Sequence, residues 1–357
     1  MKRLIVLISL ILSAACARAG ERLVYSVAQE DAGRFPRLVK TEIFAVELDG
    51  GNKTLLFSDA GTTIILLPVR RAGGIPEQVM VSASGRVFAR GVERSRYPGG
   101  WYDKPASIYE LTINGTNAFR KVFDIQGEQD LRNLFVDSAA TKVGYLNMIG
   151  AKWYIFVHDA ATGTLLHKKD TSSIFLDCFA RNIGYLPDGQ MLFFTLETGD
   201  EHVTSQASYK RVGSYAMKDS AATPARIPVP SWQKAGYTLD TSLPPMMIGA
   251  LPDGRYLFRE YLWKREPRSH SPAVFLSAID AATKSHKNFP VSASEGLFWF
   301  RLSGSGRYLA FSEIKGQTEL ERIWILDLVS GAEREIFSFP TKSLRAPYLG
   351  LIGWIGN

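Results

Sequence analysis

The chain has 357 residues, of which 46% are hydrophobic and 22% charged, with 31 glycines, 17 prolines and a formal net charge of +7. This composition excludes a disordered, collagenous or coiled-coil protein. The many glycines and prolines favour a protein built of strands and turns over a helical one.

The first residues have the pattern of a secretory signal peptide. Lys2 and Arg3 form a positively charged start, and residues 4–12 are apolar except for one serine. This run is too short to span a bilayer as a helix. Residues 17–19 read Ala-Arg-Ala, which fits the small-x-small cleavage pattern. We therefore expect a signal peptide at 1–19 and a single exported domain at 20–357, periplasmic or secreted.

Loss of the leader removes three basic residues and lowers the formal net charge from +7 to +4. So mild a charge does not indicate a nucleic-acid-binding protein. Cys178 is then the one remaining cysteine, so no intramolecular disulfide can form. An alternative is a lipoprotein acylated at Cys16, although Leu12 lies one place too far upstream for that signal. No later stretch is long and apolar enough to cross a membrane.

Two hairpin patterns alternate along the rest of the chain. In the first, an apolar strand, a turn rich in Pro, Asp, Ser and Gly and a second apolar strand follow one another at 81–89, 186–194, 251–258 and 302–311. Such a turn needs Asp early and Gly, for its positive φ, near its end. The pattern predicts β-hairpins.

The second pattern is an apolar strand that ends in Asp, followed by a turn that usually contains Gly. Its copies are at 44–51, 109–115, 155–166, 215–220, 275–284 and 323–331. The six copies recur at a mean spacing of about 56 residues, and one copy of each pattern makes a four-stranded unit. A fixed period of four short strands predicts an all-β, six-bladed β-propeller.

The two ends of the domain complete this arrangement. Joined together, residues 351–357 and 20–26 resemble one more strand–turn–strand unit. We therefore expect the C-terminal strand to be the innermost strand of the first blade, with Trp354 beside Val24. This closure would remove the free sheet edges of an open ring. The strand-like segment 62–69 fits no copy, and it either extends a strand or crosses between blades.

These copies resemble the TolB-type repeats of bacterial β-propellers, which are WD-like. The similarity covers nearly the whole domain and is best at 297–337. It departs from the family pattern at Ser84 and Ser305, where Asp is missing, and at Lys284, where Gly is missing. The resemblance implies a six-bladed ring in an exported protein that serves as a protein-binding platform in the cell envelope. It implies no catalytic residue, since the repeat contains none.

Three connections between the second and third strands are long, namely 90–107, 197–213 and 260–272. Arg, Trp and Tyr are common anchors of protein interfaces. The basic and aromatic residues of these loops predict a rim that binds an acidic partner or an anionic sugar, unless the loops are merely solvated with their tryptophans folded back onto the ring. The candidate binding residues are Arg94, Arg96, Trp101, Tyr102, Tyr209, Arg211, Trp263, Arg265, Arg268 and His270.

The sequence offers no catalytic or metal-binding motif. No G-x-S-x-G or G-x-G-x-x-G occurs, and the five histidines show no metal-binding spacing. We therefore expect no cofactor, no metal and a monomeric, non-enzymatic protein that binds a protein or peptide. The alternative is a hydrolase, a lyase or a small-ligand binder with its site at the central channel, for which Asp177, Arg181 and Arg301 are the candidates.

Overall fold

The computed structural model describes residues 20–30, 38–59, 64–66, 79–93, 106–113, 117–127, 132–150, 152–171, 178–186, 188–198, 213–218, 224–227, 237–239, 245–264, 273–280, 282–283, 285–289, 291, 297–315, 320–340 and 348–356. Within these ranges the regular elements are all β-strands. The described part of the chain contains no helix of the length and apolarity that a bilayer crossing requires.

The strands form six antiparallel sheets, which we number as blades 1 to 6 in chain order. From the innermost strand outward, blade 1 consists of β26 (Tyr348–Ile355), β1 (Arg22–Glu30), β2 (Leu38–Val46) and β3 (Thr54–Asp59). Blade 2 consists of β4 (Ile64–Leu66) and β5 (Val79–Val81), then β6 (Val87–Glu93), β7 (Ser107–Leu111) and β8 (Phe119–Asp124). Blade 3 consists of β9 (Arg132–Val136), β10 (Lys142–Ile149), β11 (Lys152–Asp159) and β12 (Leu165–Asp170).

The second half of the chain repeats this order. Blade 4 consists of β13 (Cys178–Tyr185), β14 (Met191–Thr198), β15 (Gly213–Lys218) and β16 (Ala225–Arg226). Blade 5 consists of β17 (Tyr237–Leu239) and β18 (Met246–Ala250), then β19 (Tyr256–Lys264), β20 (Ala273–Ile279) and β21 (His286–Phe289). Blade 6 consists of β22 (Leu297–Leu302), β23 (Tyr308–Lys315), β24 (Leu320–Asp327) and β25 (Glu333–Pro340).

The innermost strands contact one another in a closed cycle. β26 lies beside β5, β5 beside β9, β9 beside β13, β13 beside β18, β18 beside β22, and β22 beside β26 again. Apolar side chains fill the space between neighbouring blades, for example Leu257 and Leu276 of blade 5 against Leu309 and Phe311 of blade 6. The protein is therefore a six-bladed β-propeller, which confirms the predicted fold class.

The ring closes where the sequence predicts. β26 pairs with β1 as the innermost strand of blade 1, with Leu23 opposite Trp354 and Val24 opposite Gly353. The indole Nε1 of Trp354 donates a hydrogen bond of 2.9 Å to the backbone oxygen of Arg301 in blade 6. Because Gly353 lies against Val81 of blade 2, a side chain at this position would collide with that valine. The C-terminal strand thus contacts both neighbouring blades.

The segment around residues 62–69 is now assigned in part. β4 pairs with the end of β6, Leu66 opposite Gly91, whereas β5 pairs with its beginning, Val81 opposite Val87. The two short strands therefore form one interrupted innermost strand, and β4 extends it. Blade 5 has the same arrangement, since β17 and β18 both pair with β19.

Aspartates close the turns between the third and fourth strands. Asp159, Asp280 and Asp327 each accept hydrogen bonds from two backbone N–H groups two and three residues further on. The turns after Asp159 and Asp327 contain Gly163 and Gly331 at φ of 74° and 76°, a conformation that glycine adopts without steric cost. The recurring Asp and Gly of the second pattern are thus requirements of the turn.

Ser305 shows how the ring replaces a missing aspartate. The carboxylate of Glu21, at the start of the described chain, accepts a hydrogen bond from the Ser305 N–H at 2.9 Å and one from its hydroxyl at 2.6 Å. Glu21 is buried. An acid from blade 1 therefore binds the blade 6 turn, in which the family pattern has an acid of its own.

We expect Glu21→Ala to lower the free energy of unfolding by about 1–3 kcal/mol, because two buried hydrogen bonds to a carboxylate are lost. Urea denaturation of Glu21→Ala, Ser305→Ala and the double variant would measure the coupling between the two side chains. Additive effects of the two single substitutions would contradict a direct bond.

Cations also join neighbouring blades on the side of the ring that carries these turns, which we call the turn face. The ammonium groups of Lys142, Lys169 and Lys287 donate to backbone oxygens of the following blade at 2.9–3.3 Å. Arg86 of blade 2 likewise donates to Ala140 O of blade 3 at 2.6 Å. Much of the charge on the turn face is thus used to hold the blades together.

Candidate functional site

The opposite side of the ring, which we call the long-loop face, carries the connections between second and third strands. The three long connections predicted from the sequence join β6 to β7, β14 to β15 and β19 to β20. They are shorter than predicted, since the strands continue to Glu93, Thr198 and Lys264. The connections therefore span 94–106, 199–212 and 265–272.

The structure places few of the predicted site residues. Arg181 and Trp263 lie in β13 and β19, where only the course of the backbone is described. Arg301 lies in β22 with its side chain described. The other candidates lie outside the described residues, namely Arg94, Arg96, Trp101, Tyr102, Asp177, Tyr209, Arg211, Arg265, Arg268 and His270.

Arg301 reaches from blade 6 to two other blades. Its Nε donates to Ile352 O of blade 1 at 3.1 Å, and its Nη1 donates to Phe300 O at 2.7 Å. Its Nη2 lies 3.9 Å from the sulfur of Met80 in blade 2. Burial lowers the pKa of Arg301 to about 9, so the guanidinium remains charged at neutral pH. These contacts join blade 6 to blades 1 and 2.

The remaining blades carry no comparable group at this level of the innermost strand. Arg301 lies two residues before the first residue of its hairpin turn, Ser303, and the same position in blades 2 to 5 is held by Met80, Phe135, Gly184 and Gly249. In blade 1, Gly353 pairs with Val24 at this level. At this level of the described channel wall, acids and histidines do not converge. Nor do three or more His, Cys, Asp or Glu side chains of the described residues come together as a metal site.

Each innermost strand is irregular towards the long-loop face. In blades 1, 3, 4, 5 and 6 its pairing with the second strand shifts register. In blades 2 and 5 it is interrupted. Asn133 and Trp299, each four residues before the hairpin turn, adopt φ of 53° and 56°. Such a φ is strained for a bulky residue, so the structure around Trp299 must hold its backbone in this conformation.

A layer of buried polar side chains lies beneath the long-loop face, at the ends of the second strands. Its charged members are Arg90 of β6, Arg259 and Glu260 of β19 and Glu313 of β23. Both carboxylates are only 1% exposed. Charges so deeply buried are tolerated when other groups bond them. Glu260 accepts a hydrogen bond from Ser277 at 2.5 Å, and Glu313 accepts one from Trp324 Nε1 at 3.1 Å.

The uncharged members of this layer connect adjacent blades. The hydroxyls of Thr195 and Ser214 in blade 4 lie 2.8 Å apart, and Thr195 accepts a hydrogen bond of 3.1 Å from the Met247 N–H of blade 5. Asn147 of blade 3 donates to Gln126 O, in the connection from blade 2, at 2.8 Å. The long connections therefore start from strand ends held by hydrogen bonds, which gives them a rigid base.

Sequence reasoning missed this layer because its charged residues resemble the beginning of a loop. Arg90 and Glu260 were the predicted starts of two long connections, yet both are buried within strands. The sequence did contain a signal for this. No Gly, Pro or Asn lies between the start of the strand and Arg90 in 87–90, or anywhere in 256–264 around Glu260. The absence of these turn residues favours continuation of the strand.

Blades 2 and 5, which lie opposite each other in a ring of six, share several features. Each has an interrupted innermost strand and a long connection. The interruption faces Arg90 in blade 2, between Ala89 and Gly91, which pair with β5 and β4. In blade 5 it faces Glu260, since Arg259 pairs with β18 and Leu262 with β17. The two interrupted innermost strands thus lie on opposite sides of the channel, each in a blade with a long connection.

Fold and site together define a β-propeller whose turn face binds the blades to one another and whose long-loop face rests on a fixed polar layer. No protein-family model matches the chain, and no curated protein matches its sequence. The structure is similar to TolB from Acinetobacter baumannii, with a TM-score of 0.54 and 14% identity over 96% of this chain and 69% of that chain. This likeness supports the propeller fold.

Two further solved structures have lower TM-scores. The putative TolB from Agrobacterium tumefaciens has a TM-score of 0.46 and 13% identity over 93% of this chain and 99% of that one. A putative 6-phosphogluconolactonase from Bacteroides fragilis has a TM-score of 0.46 and 12% identity over 92% and 98%. A fold by itself does not assign an activity.

Proposed function

We propose that this protein is an exported, TolB-type β-propeller that binds a protein or peptide partner in the cell envelope through its long-loop face, without catalysis. The observation that carries the proposal is the difference between the two faces of the ring, since one joins the blades and the other carries the long connections. Several described cations of the turn face, namely Arg86, Lys142, Lys169 and Lys287, bond to backbone oxygens of adjacent blades. The long connections all start from the other face.

The composition of these connections favours an acidic partner. Residues 94–106, 199–212 and 265–272 together contain seven Lys or Arg and four Asp or Glu, along with the aromatic residues Tyr97, Trp101, Tyr102 and Tyr209. Arg and aromatic side chains supply large contact areas with polar ends. Since blades 2 and 5 lie opposite each other, their connections can contact one extended partner from two sides.

Export is proposed on the leader pattern of residues 1–19. The same pattern, which leaves Gly20 at the start of the domain, supports a location in the periplasm or outside the cell. A lipid anchor at Cys16 remains the alternative form of the same proposal. Mass spectrometry of the protein purified from its native cells distinguishes a chain that starts at Gly20 from one that starts at an acylated Cys16.

Reversal of the loop charges tests the binding proposal. Protein captured from an envelope extract by the immobilised domain would be identified, purified and titrated against two loop variants, Arg94→Glu/Arg96→Glu and Arg265→Glu/Arg268→Glu. We expect at least a tenfold loss of affinity for one or both, and a loss of affinity for the unmodified protein as salt is raised.

A variant with an equal change of charge serves as the control. Lys168→Glu/Arg334→Glu alters two exposed positions on the outermost strands β12 and β25, and we expect it to bind like the unmodified protein. Equal binding by all three variants would overturn the proposal. Circular dichroism and melting of each variant would confirm that the ring is intact.

A further inference from the structure

A buried histidine lies between blades 2 and 3. His158, near the end of β11, is only 2% exposed. Its ring stacks on Phe123 of blade 2, with centroids 3.8 Å apart and planes at 9°, and it also lies parallel to Tyr145 of its own blade at 5.8 Å. The structure thus shows an imidazole inserted in an aromatic stack.

The hydrogen bonds of His158 define its charge state. Its Nδ1 lies 3.0 Å from the backbone oxygen of Gly163, which can only accept, so this nitrogen carries the hydrogen. Its Nε2 is buried and has no hydrogen-bond partner in the described part of the chain. The ring is therefore neutral, and the lone pair of its buried Nε2 is unbonded. Protonation would create an N–H group and a positive charge for which the described residues provide no acceptor.

The charges around His158 do not compensate for such a proton. Arg86 and Arg120 of blade 2 both donate to the backbone oxygen of Ala160, two residues from the histidine. The carboxylate of Asp159 is engaged by Ala161 N–H and by Thr162. The other charged or titratable groups on the surrounding elements are Glu110, Lys121, Asp124, Asp137, Lys142, Lys152, His167, Lys168, Lys169 and Asp170, along with the tyrosines Tyr109, Tyr145 and Tyr154.

Burial lowers the pKa of His158, and the bond to Gly163 O opposes this effect only in part. A histidine whose pKa is lowered in the folded state binds its proton more readily when unfolded. Its contribution to stability is therefore complete above the unfolded pKa of about 6.5. That contribution is lost progressively as the pH falls below this value towards the folded pKa.

We propose that protonation of His158 loosens the packing between blades 2 and 3, so that this seam of the ring is sensitive to mild acid. Loosening begins at the His158–Phe123 stack, because the charged ring cannot remain in the apolar layer without an acceptor. The covalent connection at 125–131 and the turn-face bonds of Arg86 and Arg120 keep the two blades adjacent. The inference does not depend on the identity of the partner proposed above.

The experiment compares the full domain with His158→Phe, which keeps an aromatic ring in the stack and removes the titration. Between pH 7.5 and pH 5.5 we expect the melting temperature of the unmodified protein to fall by about 2–4 °C more than that of the variant. Hydrogen exchange should show faster exchange in β8 and β11 of the unmodified protein at pH 5.5 only. His167→Gln, on the neighbouring strand β12, is the matched control and should behave like the unmodified protein.

Nitrogen NMR of the unmodified protein provides a measurement that does not require a variant. We expect His158 to be neutral at pH 7, with its hydrogen on Nδ1, and to titrate below pH 6.5. Equal pH dependence of melting and exchange in the unmodified protein and His158→Phe would overturn the proposal. So would a histidine resonance for His158 that is already protonated at pH 7.

Discussion

Trp354→Ala is expected to lower the free energy of unfolding by about 3–5 kcal/mol, as large-to-small substitutions of buried aromatic residues do. Trp354 is 5% exposed and packs with Leu23, Tyr25 and Leu351 in the layer between blades 1 and 6. Its indole also donates to Arg301 O. The substitution removes both the apolar contact and the bond that joins the closing strand to blade 6.

Removal of residues 348–357 should have a larger effect, because it deletes the whole of β26. The inner edge of β1 would then expose its backbone groups, and the apolar layers on both sides of blade 1 would lose one wall. We expect the truncated chain to be aggregated or only partly folded by circular dichroism and gel filtration.

Val329→Ala is the control for these closure variants, because this side chain is 72% exposed on the turn face. Its unfolding free energy should stay within about 0.5 kcal/mol of the unmodified value. If Trp354→Ala were as stable as Val329→Ala, the C-terminal strand would not be what closes the ring.

The closure could be predicted because each of the two terminal strands has a strand pattern in its own short stretch of sequence. Residues 351–357 and 20–26 each have strand character, and a ring of six repeats has one place for them. The pairing of Leu23 with Trp354 then follows within one residue of the predicted register. In contrast, the bond between Glu21 and Ser305 joins residues 284 positions apart. The departure at Ser305 was visible in the sequence, but its compensating acid was not.

The interrupted innermost strands show a second limit. Ile64–Leu66 and Val79–Val81 pair with different halves of one strand, although twelve residues separate them in the chain. A local pattern identifies strand character but does not show that two short segments share a partner. For the same reason, the polar layer beneath the long-loop face was not predicted, since the partners that make Glu260 and Glu313 tolerable lie on other strands.

Glu110→Gln is expected to destabilise the seam between blades 2 and 3. The Glu110 carboxylate accepts hydrogen bonds from Arg86 at 2.6 and 3.0 Å and from Arg120 at 2.7 Å. Both arginines also bind backbone oxygens of blade 3. Without the carboxylate, two guanidinium groups repel each other across its position. Because Glu110 is 20% exposed, solvent screening reduces this cost, and we expect a loss of about 2 kcal/mol.

The lowered pKa of Glu110 determines the direction in which stability changes with pH. The hydrogen bond from Arg86 has the largest effect and lowers the pKa of Glu110; burial opposes it, the hydrogen bond from Arg120 lowers the pKa further, and the net shift is downward. A carboxylate whose pKa is lowered in the folded state stabilises the fold above its unfolded pKa. This contribution is lost as the pH falls through the folded value. The unmodified protein should therefore lose stability below about pH 4.5, and Glu110→Gln should lose less over that range.

Glu335→Gln is the control for this ion pair, because its carboxylate is 36% exposed and lies 3.6 Å from a single arginine, Arg322. Melting at pH 7 should show little change for this variant. The same series separates the two acid effects at the seam, because the His158 effect is expected between pH 7.5 and 5.5 and the Glu110 effect below pH 4.5. If Glu110→Gln melted at pH 7 like Glu335→Gln, the Arg86–Glu110–Arg120 cluster would be a surface feature without a role in holding blades 2 and 3 together.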